Sequence, residues 1–118
     1  MSRHIITGKN GEDLAVEWLA AKNFAILDRN WRYGRYEIDI IASRDDILHI
    51  IEVKSRNSTL FGRPEESVSK KKIHHIMKGA TQWLIQYPNH RRLQYDVLAI
   101  TMNQLKPPEY FWIEDVYL

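Results

Sequence analysis

Hydrophobic residues recur along the chain with two different periods, one typical of helices and one typical of strands. Residues 10–22 carry an apolar residue every three or four positions, and Asn10 is a suitable N-cap. Residues 67–87 follow the same spacing more regularly, and Pro88 ends the run. The pattern therefore predicts two helices, over 10–22 and 67–87.

Apolar runs without helical spacing predict strands. The isoleucine-rich segments 36–43 and 47–55 are separated by the short polar turn 44–46, which predicts an antiparallel hairpin. We expect further strands at 24–31 and 93–101, with turns at 31–36 and 106–108, a loop at 56–66, and an edge strand over 110–118. The predicted order is α-β-β-β-α-β-β, an α/β fold with a mixed β-sheet flanked by helices in a single domain over residues 1–118.

Composition narrows the class of protein without indicating a partner. The 118 residues are 44% hydrophobic, enough for the core of one ordinary domain. The chain has no cysteine, which excludes disulfides, thiolate metal sites and cysteine nucleophiles. We see no membrane-spanning segment and no secretory signal, and we expect a cytoplasmic protein. The net charge is only +2, which is too small for the protein as a whole to attract nucleic acid. Binding of nucleic acid would therefore require basic residues that are clustered on one surface.

Three charged residues interrupt the apolar hairpin. Asp39 lies in the first strand, and Glu52 and Lys54 lie on one face of the second strand. Antiparallel neighbours would bring Asp39 and this pair to the same space. Two facing carboxylates repel each other, and a divalent cation such as Mg²⁺ or Mn²⁺ would relieve that repulsion. The pattern therefore predicts a metal site on Asp39 and Glu52, with Lys54 beside it, suited to phosphodiester cleavage.

A structural role for the same charges stays open at this point. Lys54 could form a buried salt bridge with Glu52 or with Asp39 and serve stability alone. The spacing D-x12-E-x-K is short and would occur by chance in many hairpins.

A set of motifs extends over most of the chain, from Gly8 to Ile100: G-x-x-G-E-D-L-A, Y-E-I-D-I-I, E-V-K-S-R, F-G-R-P-E-E-S-V-S-x-x-K and Y-D-V-L-A-I. In these the chain resembles the YraN-type bacterial family, which is related to archaeal Holliday junction resolvases in the PD-(D/E)xK nuclease superfamily. The chain departs from the family at Tyr36, where a glycine is common, and has Ile38 where the superfamily name has proline.

The resemblance implies a restriction-endonuclease-like fold and a magnesium-dependent endonuclease acting on DNA, including branched or junction DNA. It also implies a nuclease site made of Glu12, Asp39, Glu52 and Lys54. Glu12 has an alternative role, because an acidic residue in the first turn stabilises the helix dipole. Since cutting a junction needs two active sites, the analogy further implies a homodimer.

Basic residues flank the predicted site and suggest contact with nucleic acid. Lys70, Lys71 and Lys72 open the second helix, where free N–H groups also favour an anion, and Lys72 matches the lysine of the family motif. Arg35 and Arg56 bracket the hairpin. The alternative is that these cations are only solvated.

Aromatic residues alternate with arginines in the same region. Trp31, Tyr33, Tyr36 and Phe61 lie near Arg32, Arg35, Arg56 and Arg63. Such a mixture suits base stacking and backbone contact, although packing at the rim of the domain would explain each residue equally well.

The remaining polar residues add no site. The five histidines show no metal-binding spacing, so we expect structural or surface roles for them, with His49 on the strand face opposite Glu52. Asp96 is expected to cap a strand or support other residues. Two functions remain: a metal-dependent DNA endonuclease, and a non-catalytic nucleic-acid-binding or assembly module that retains the nuclease fold.

Overall fold

Two helices lie on opposite faces of one five-stranded sheet in the computed structural model, which describes residues 10–56, 70–89, 92–103 and 105–116. In chain order the elements are α1 (Gly11–Ala21), β1 (Ala25–Tyr33), β2 (Tyr36–Arg44), β3 (Ile47–Arg56), α2 (Lys70–Gln86), β4 (Arg92–Asn103) and β5 (Lys106–Ile113). This order confirms the predicted α-β-β-β-α-β-β arrangement of an α/β domain.

The sheet is mixed, as predicted. Its strands lie in the order β1-β2-β3-β4-β5, and all neighbours are antiparallel except β3 and β4. A parallel pair needs a crossover that returns the chain to the same end of the sheet. Helix α2 lies in the connection between β3 and β4, and its first turn therefore follows the end of β3 that carries Glu52 and Lys54.

Helix α1 covers one face of the sheet. Ala15 and Leu19 are fully buried against a cluster that includes Ile40, Ile51 and Leu98. Asn10 is the N-cap, because its side chain accepts a hydrogen bond from Asp13 N at 2.9 Å. The apolar stripe and the cap together explain why this segment is helical.

Helix α1 also approaches β3 very closely at Gly11. A Cβ atom at this position would lie 2.7 Å from the Cβ of Ser55. Only glycine allows the helix to begin at this distance from the strand.

Helix α2 covers the other face. Ala80 and Trp83 pack on Ile41, Leu48 and Ile50. The indole nitrogen of Trp83 donates a hydrogen bond to the carboxylate of Asp28 at 3.2 Å, so its polar atom is satisfied.

Three predicted boundaries were wrong or incomplete. Residues 106–108 are the start of β5 and not a turn; a proline is tolerated there because an edge strand leaves one side of its backbone unpaired. Strand β5 ends at Ile113. Strand β1 continues to Tyr33, so the turn between β1 and β2 consists only of Gly34, at φ 58°, and Arg35. The predicted loop from 57 onwards, with Phe61 and Arg63, and the predicted helical residues 67–69 lie outside the described residues.

Candidate functional site

Strand β2 is irregular at Asp39. Strict alternation would place Ile38 and Ile41 on opposite faces, yet both pack in the cluster beneath α2. The ladder between β2 and β3 reaches only to the pair Ile40 and Ile51, immediately beyond Asp39. In place of a backbone acceptor, Asp39 Oδ2 accepts a hydrogen bond from Val53 N at 2.8 Å. The carboxylate is thereby fixed where the two strands separate.

A cavity of about 630 Å³ opens at this separation. Its walls come from three elements: Arg35, Glu37 and Asp39 from the β1–β2 hairpin, Glu52, Val53 and Lys54 from β3, and Lys71, Lys72, His75 and Ile76 from α2. The cavity thus brings together Asp39, Glu52 and Lys54, as the strand pattern predicted.

Glu52 is the most buried charge in the cavity. Its side chain is only 10% exposed, and its Oε2 lies 3.2 Å from Lys72 Nζ and 3.5 Å from Lys54 Nζ. Lys72 Nζ is close enough to share a hydrogen bond with Oε2, and apart from the two lysines no described group donates to this atom. The carboxylate is therefore neutralised by two cations but keeps free capacity to bind a ligand.

The charges of the cavity act on each other. Burial raises the pKa of Asp39; the hydrogen bond from Val53 N opposes this shift, and the negative charges of Glu52, Glu12 and Glu37 add to it. Partial burial acts to lower the pKa of Lys72, but the negative charge of Glu52, a hydrogen bond to Glu52 and the negative charge of Asp39 together outweigh burial and raise this pKa. The site therefore combines a carboxylate that resists ionisation with a lysine that stays charged.

Asp39 and Glu52 are the residues that could hold a metal ion. Within the described part of the chain, no three histidine, aspartate or glutamate side chains converge as a complete metal cage. Mg²⁺ does not need one, because it is commonly held by one or two carboxylates and keeps several water ligands. Glu52 Oε2 has acceptor capacity beyond its two lysine neighbours, and this capacity and the repulsion between Glu52 and Asp39 fit such a partly hydrated ion.

Glu12 lies beside the cavity and does not line it. Its Oε1 accepts hydrogen bonds from Arg29 Nε at 3.1 Å and from Asn30 Nδ2 at 3.0 Å. Through these contacts Glu12 connects α1 to β1. Its charge still reaches the site through its effect on Asp39.

The predicted basic residues divide into two groups. Arg35, Lys71 and Lys72 line the cavity. Arg56 ends β3 and is not among the lining residues, and Lys70 begins α2, but its side chain is outside the described part of the structure.

Sequence reasoning missed two polar residues of the cavity wall. His75 lines the cavity, and its Nε2 donates a hydrogen bond to the carbonyl oxygen of Arg35 at 3.1 Å. Glu37 also lines it and pairs with Arg32 at 3.2 Å. The spacing of His75 from Lys71 and Lys72, at i+4 and i+3, was the signal that could have placed it on the same helix face.

A second polar cluster lies on the face of the sheet covered by α1. His49 Nδ1 is 2.6 Å from Asp96 Oδ2, and both side chains are almost completely buried. Asp96 also accepts hydrogen bonds from Gln94 Nε2 at 2.9 Å and from Asp115 N at 2.8 Å. The ring of His49 packs at 4.8 Å from that of Phe24 in the face covered by α1, which confirms that it lies opposite Glu52. These contacts hold the segment after β5 to the sheet.

A sequence model described as "Uncharacterised protein family UPF0102" matches residues 11–100. The chain belongs to the UPF0102 family. A UPF0102 protein of Flavobacterium psychrophilum is 40% identical over 100 residues, covering 85% of this chain and 84% of the relative. A UPF0102 protein of Persephonella marina is 41% identical over 101 residues, covering 85% and 87% of the two chains.

The likeness extends to full length in a UPF0102 protein of Rhodococcus opacus, which is 35% identical over 118 residues, 99% of this chain and 100% of the relative. The range matched by the UPF0102 model includes every residue that lines the cavity. No helix in the described part of the chain is long and apolar enough to cross a membrane.

Proposed function

We propose that this UPF0102 protein is a metal-dependent endonuclease that hydrolyses phosphodiester bonds in DNA, with branched or junction DNA among its substrates. One observation carries the proposal. The carboxylates of Asp39 and Glu52 and the ammonium groups of Lys54 and Lys72 line one open cavity, although they come from three different elements.

Asp39 and Glu52 are the proposed ligands of Mg²⁺ or Mn²⁺. When bound, the ion would supply a Lewis acid that polarises the phosphate and acidifies a water molecule. The hydrogen bond from Val53 N holds Asp39 in a single orientation, and the burial of Glu52 keeps its charge poorly screened. Both features favour binding of a compact cation.

The two lysines have different proposed roles. Lys54 extends from the same strand as Glu52 and is 29% exposed, so it is placed to stabilise negative charge on a phosphate that reacts in the cavity. Lys72 comes from the first turn of α2 and is more exposed, at 46%. It is placed to meet a neighbouring phosphate of the same strand, together with Lys71.

A non-catalytic nucleic-acid-binding or assembly module is the second candidate. It is favoured by the contacts of Glu52, because two lysines can neutralise this carboxylate without a metal ion. Under that function the protein would bind nucleic acid through its cavity but would leave the phosphodiester bond intact.

The test is a cleavage assay on a panel of labelled substrates: duplex, single strand, flap and four-way junction, each with Mg²⁺, Mn²⁺ or EDTA. The endonuclease predicts cleavage of at least one substrate with metal and none with EDTA. Lys54→Met should lower the cleavage rate by about a hundredfold or more, because it removes charge stabilisation in the transition state. Tight binding of the same substrates without any cleavage would establish the module instead.

The proposal includes a cytoplasmic location and a homodimer, since two sites are needed to cut both strands of a junction. Light scattering after gel filtration, with and without a four-way junction, measures the assembly. A monomer under both conditions would remove junction cutting from the proposal and leave the chemistry of the site untouched.

A further inference from the structure

Two pairs of neighbouring rings lie between the edge of the sheet and the cavity wall, and the pairing of β1 with β2 connects them. The rings of Trp31 and Tyr33 are nearly parallel, with centroids 6.3 Å apart and planes inclined by 14°. Tyr33 is paired with Tyr36 across β1 and β2, and directly paired residues project to the same face. The ring of Tyr36 lies 4.9 Å from that of His75, which lines the cavity. We call Trp31, Tyr33, Tyr36 and His75 the aromatic row.

The core uses only one end of this row. Trp31 packs against the apolar cluster beneath α2, which fixes the orientation of its ring. Tyr33 is 48% exposed and lies beside that fixed ring. A single exposed aromatic residue needs no explanation. Packing alone does not account for rings that lead to a charged cavity, because about half of Tyr33 is exposed and contributes nothing to the core.

Positive charge accompanies the row where it enters the cavity. The guanidinium of Arg35 lies 5.7 Å from the ring centroid of Tyr36, and Arg35 and Lys71 both line the cavity. The carbonyl of Arg35 is held by His75, so the turn that carries this cation is fixed to α2. Cations next to a row of rings are the arrangement by which proteins hold single-stranded nucleic acid, with phosphates on the cations and bases on the rings.

We propose that the aromatic row is a binding track for unpaired nucleotides that lead into the cavity. A duplex cannot use such a track, because its base faces are already stacked on one another. The track therefore assigns a substrate class to the proposed endonuclease: nucleic acid with an unpaired segment next to the cleaved bond, such as a single strand, a flap or an opened branch. This substrate assignment rests on the proposed function, whereas the binding of unpaired nucleotides does not.

The experiment measures binding without cleavage. Fluorescence anisotropy in EDTA gives the affinity of the protein for a labelled oligothymidylate, for an oligouridylate and for a DNA duplex of the same length. Tyr33→Leu removes the ring and keeps an apolar side chain, and Tyr33→Phe keeps the ring.

Tyr87→Leu is the matched control. Tyr87 is 49% exposed and also contacts a tryptophan, Trp83, at a centroid distance of 4.6 Å. It lies one residue beyond the end of α2, about 22 Å along the helix from Lys72 at 1.5 Å per residue. The control therefore removes the same kind of ring at a distance from the cavity.

The track predicts that Tyr33→Leu weakens single-strand binding by about tenfold, because one stacked base is lost. Tyr33→Phe and Tyr87→Leu should stay within about twofold of the parent, and duplex binding should be the same in all four proteins. The two oligonucleotides decide between DNA and RNA as the source of the unpaired strand.

The track is refuted if the parent prefers the duplex, if Tyr33→Leu binds the single strand like the parent, or if Tyr87→Leu loses as much affinity. These outcomes are separate from the failure of the proposed function. Loss of single-strand binding in Tyr33→Leu, with no metal-dependent cleavage by the parent, retains the track and rejects the endonuclease. If the parent cleaves DNA and Tyr33→Leu binds the single strand as tightly as the parent does, the endonuclease is retained and the track is rejected.

Discussion

The carboxylate of Glu52 is neutralised by the ammonium groups of two lysines. Replacing both lysines should therefore lower the free energy of unfolding by more than the sum of the two single replacements. Its Oε2 is 3.2 Å from Lys72 Nζ and 3.5 Å from Lys54 Nζ. Lys54→Met and Lys72→Met each remove an ammonium and keep most of the apolar stem. Either single variant leaves one cation beside the carboxylate. The double variant leaves a buried carboxylate without a charged partner at these positions.

The distances set the size of the effect. Two unit charges at 3.2 Å attract by about 1.3 kcal/mol in water and about 5 kcal/mol at an effective dielectric constant of 20. The side chains of Lys54 and Lys72 are 29% and 46% exposed, so screening favours the low end, and we expect each single change to cost about 1 kcal/mol. Stranding a buried carboxylate costs about 3–5 kcal/mol. The coupling in the double variant should therefore be about 1–3 kcal/mol.

Urea unfolding in EDTA, followed by the fluorescence of the four tryptophans, measures all the members of this cycle. Lys71→Met is the control, because Lys71 lines the same cavity but is exposed, and its loss should change stability by about 0.5 kcal/mol or less. Mn²⁺ should stabilise the double variant more than the parent, since a cation then replaces both ammonium groups. Additive losses in the double variant, within about 0.5 kcal/mol, would refute the shared-charge reasoning.

Three further predictions follow from single contacts. Burial and the charge of Glu52 raise the pKa of Asp39, so the ionised form of Asp39 destabilises the metal-free fold. Chemical unfolding across pH should therefore show that the free energy of unfolding increases as pH falls through this pKa. Asp39→Asn should remove that increase and should raise stability at pH 8. Gly11→Ala should destabilise the protein by about 1–3 kcal/mol in thermal melts, because its Cβ would lie 2.7 Å from Ser55 Cβ, and Ser55→Gly should recover part of the loss. Lys71→Gln should make the slope of log affinity for duplex DNA against log salt shallower by about 0.9, and an unchanged slope would mean that Lys71 meets no phosphate.

The element order was predictable because each element buries one apolar face, and the spacing of that face along the chain distinguishes helix from strand. The meeting of Asp39 with Glu52 and Lys54 was predictable for a related reason. A short turn makes the two strands antiparallel neighbours, and a period of two then decides which side chains share a face. The hairpin part of the site therefore follows from local sequence.

The rest of the site depends on tertiary structure. Lys72 reaches Glu52 only because β3 and β4 are parallel, which places α2 over the end of β3. The break in strand alternation between Ile38 and Ile41 cannot be predicted from the pattern of apolar residues, because both positions are isoleucine and isoleucine suits either face of the sheet. The start of β5 was misread because proline signals a turn in the sequence, whereas an edge strand accepts it.

We propose that Asp39 and Glu52 together hold one divalent cation, and calorimetric titration with Mn²⁺ measures this binding. Asp46→Asn is the control: it removes the same charge from the turn between β2 and β3, at φ 63°, a conformation that asparagine accepts. A shared site predicts that the parent and Asp46→Asn bind one Mn²⁺ with equal affinity and that Asp39→Asn and Glu52→Gln both lose this binding. Manganese binding that survives in Asp39→Asn, or a parent that binds none, would contradict it.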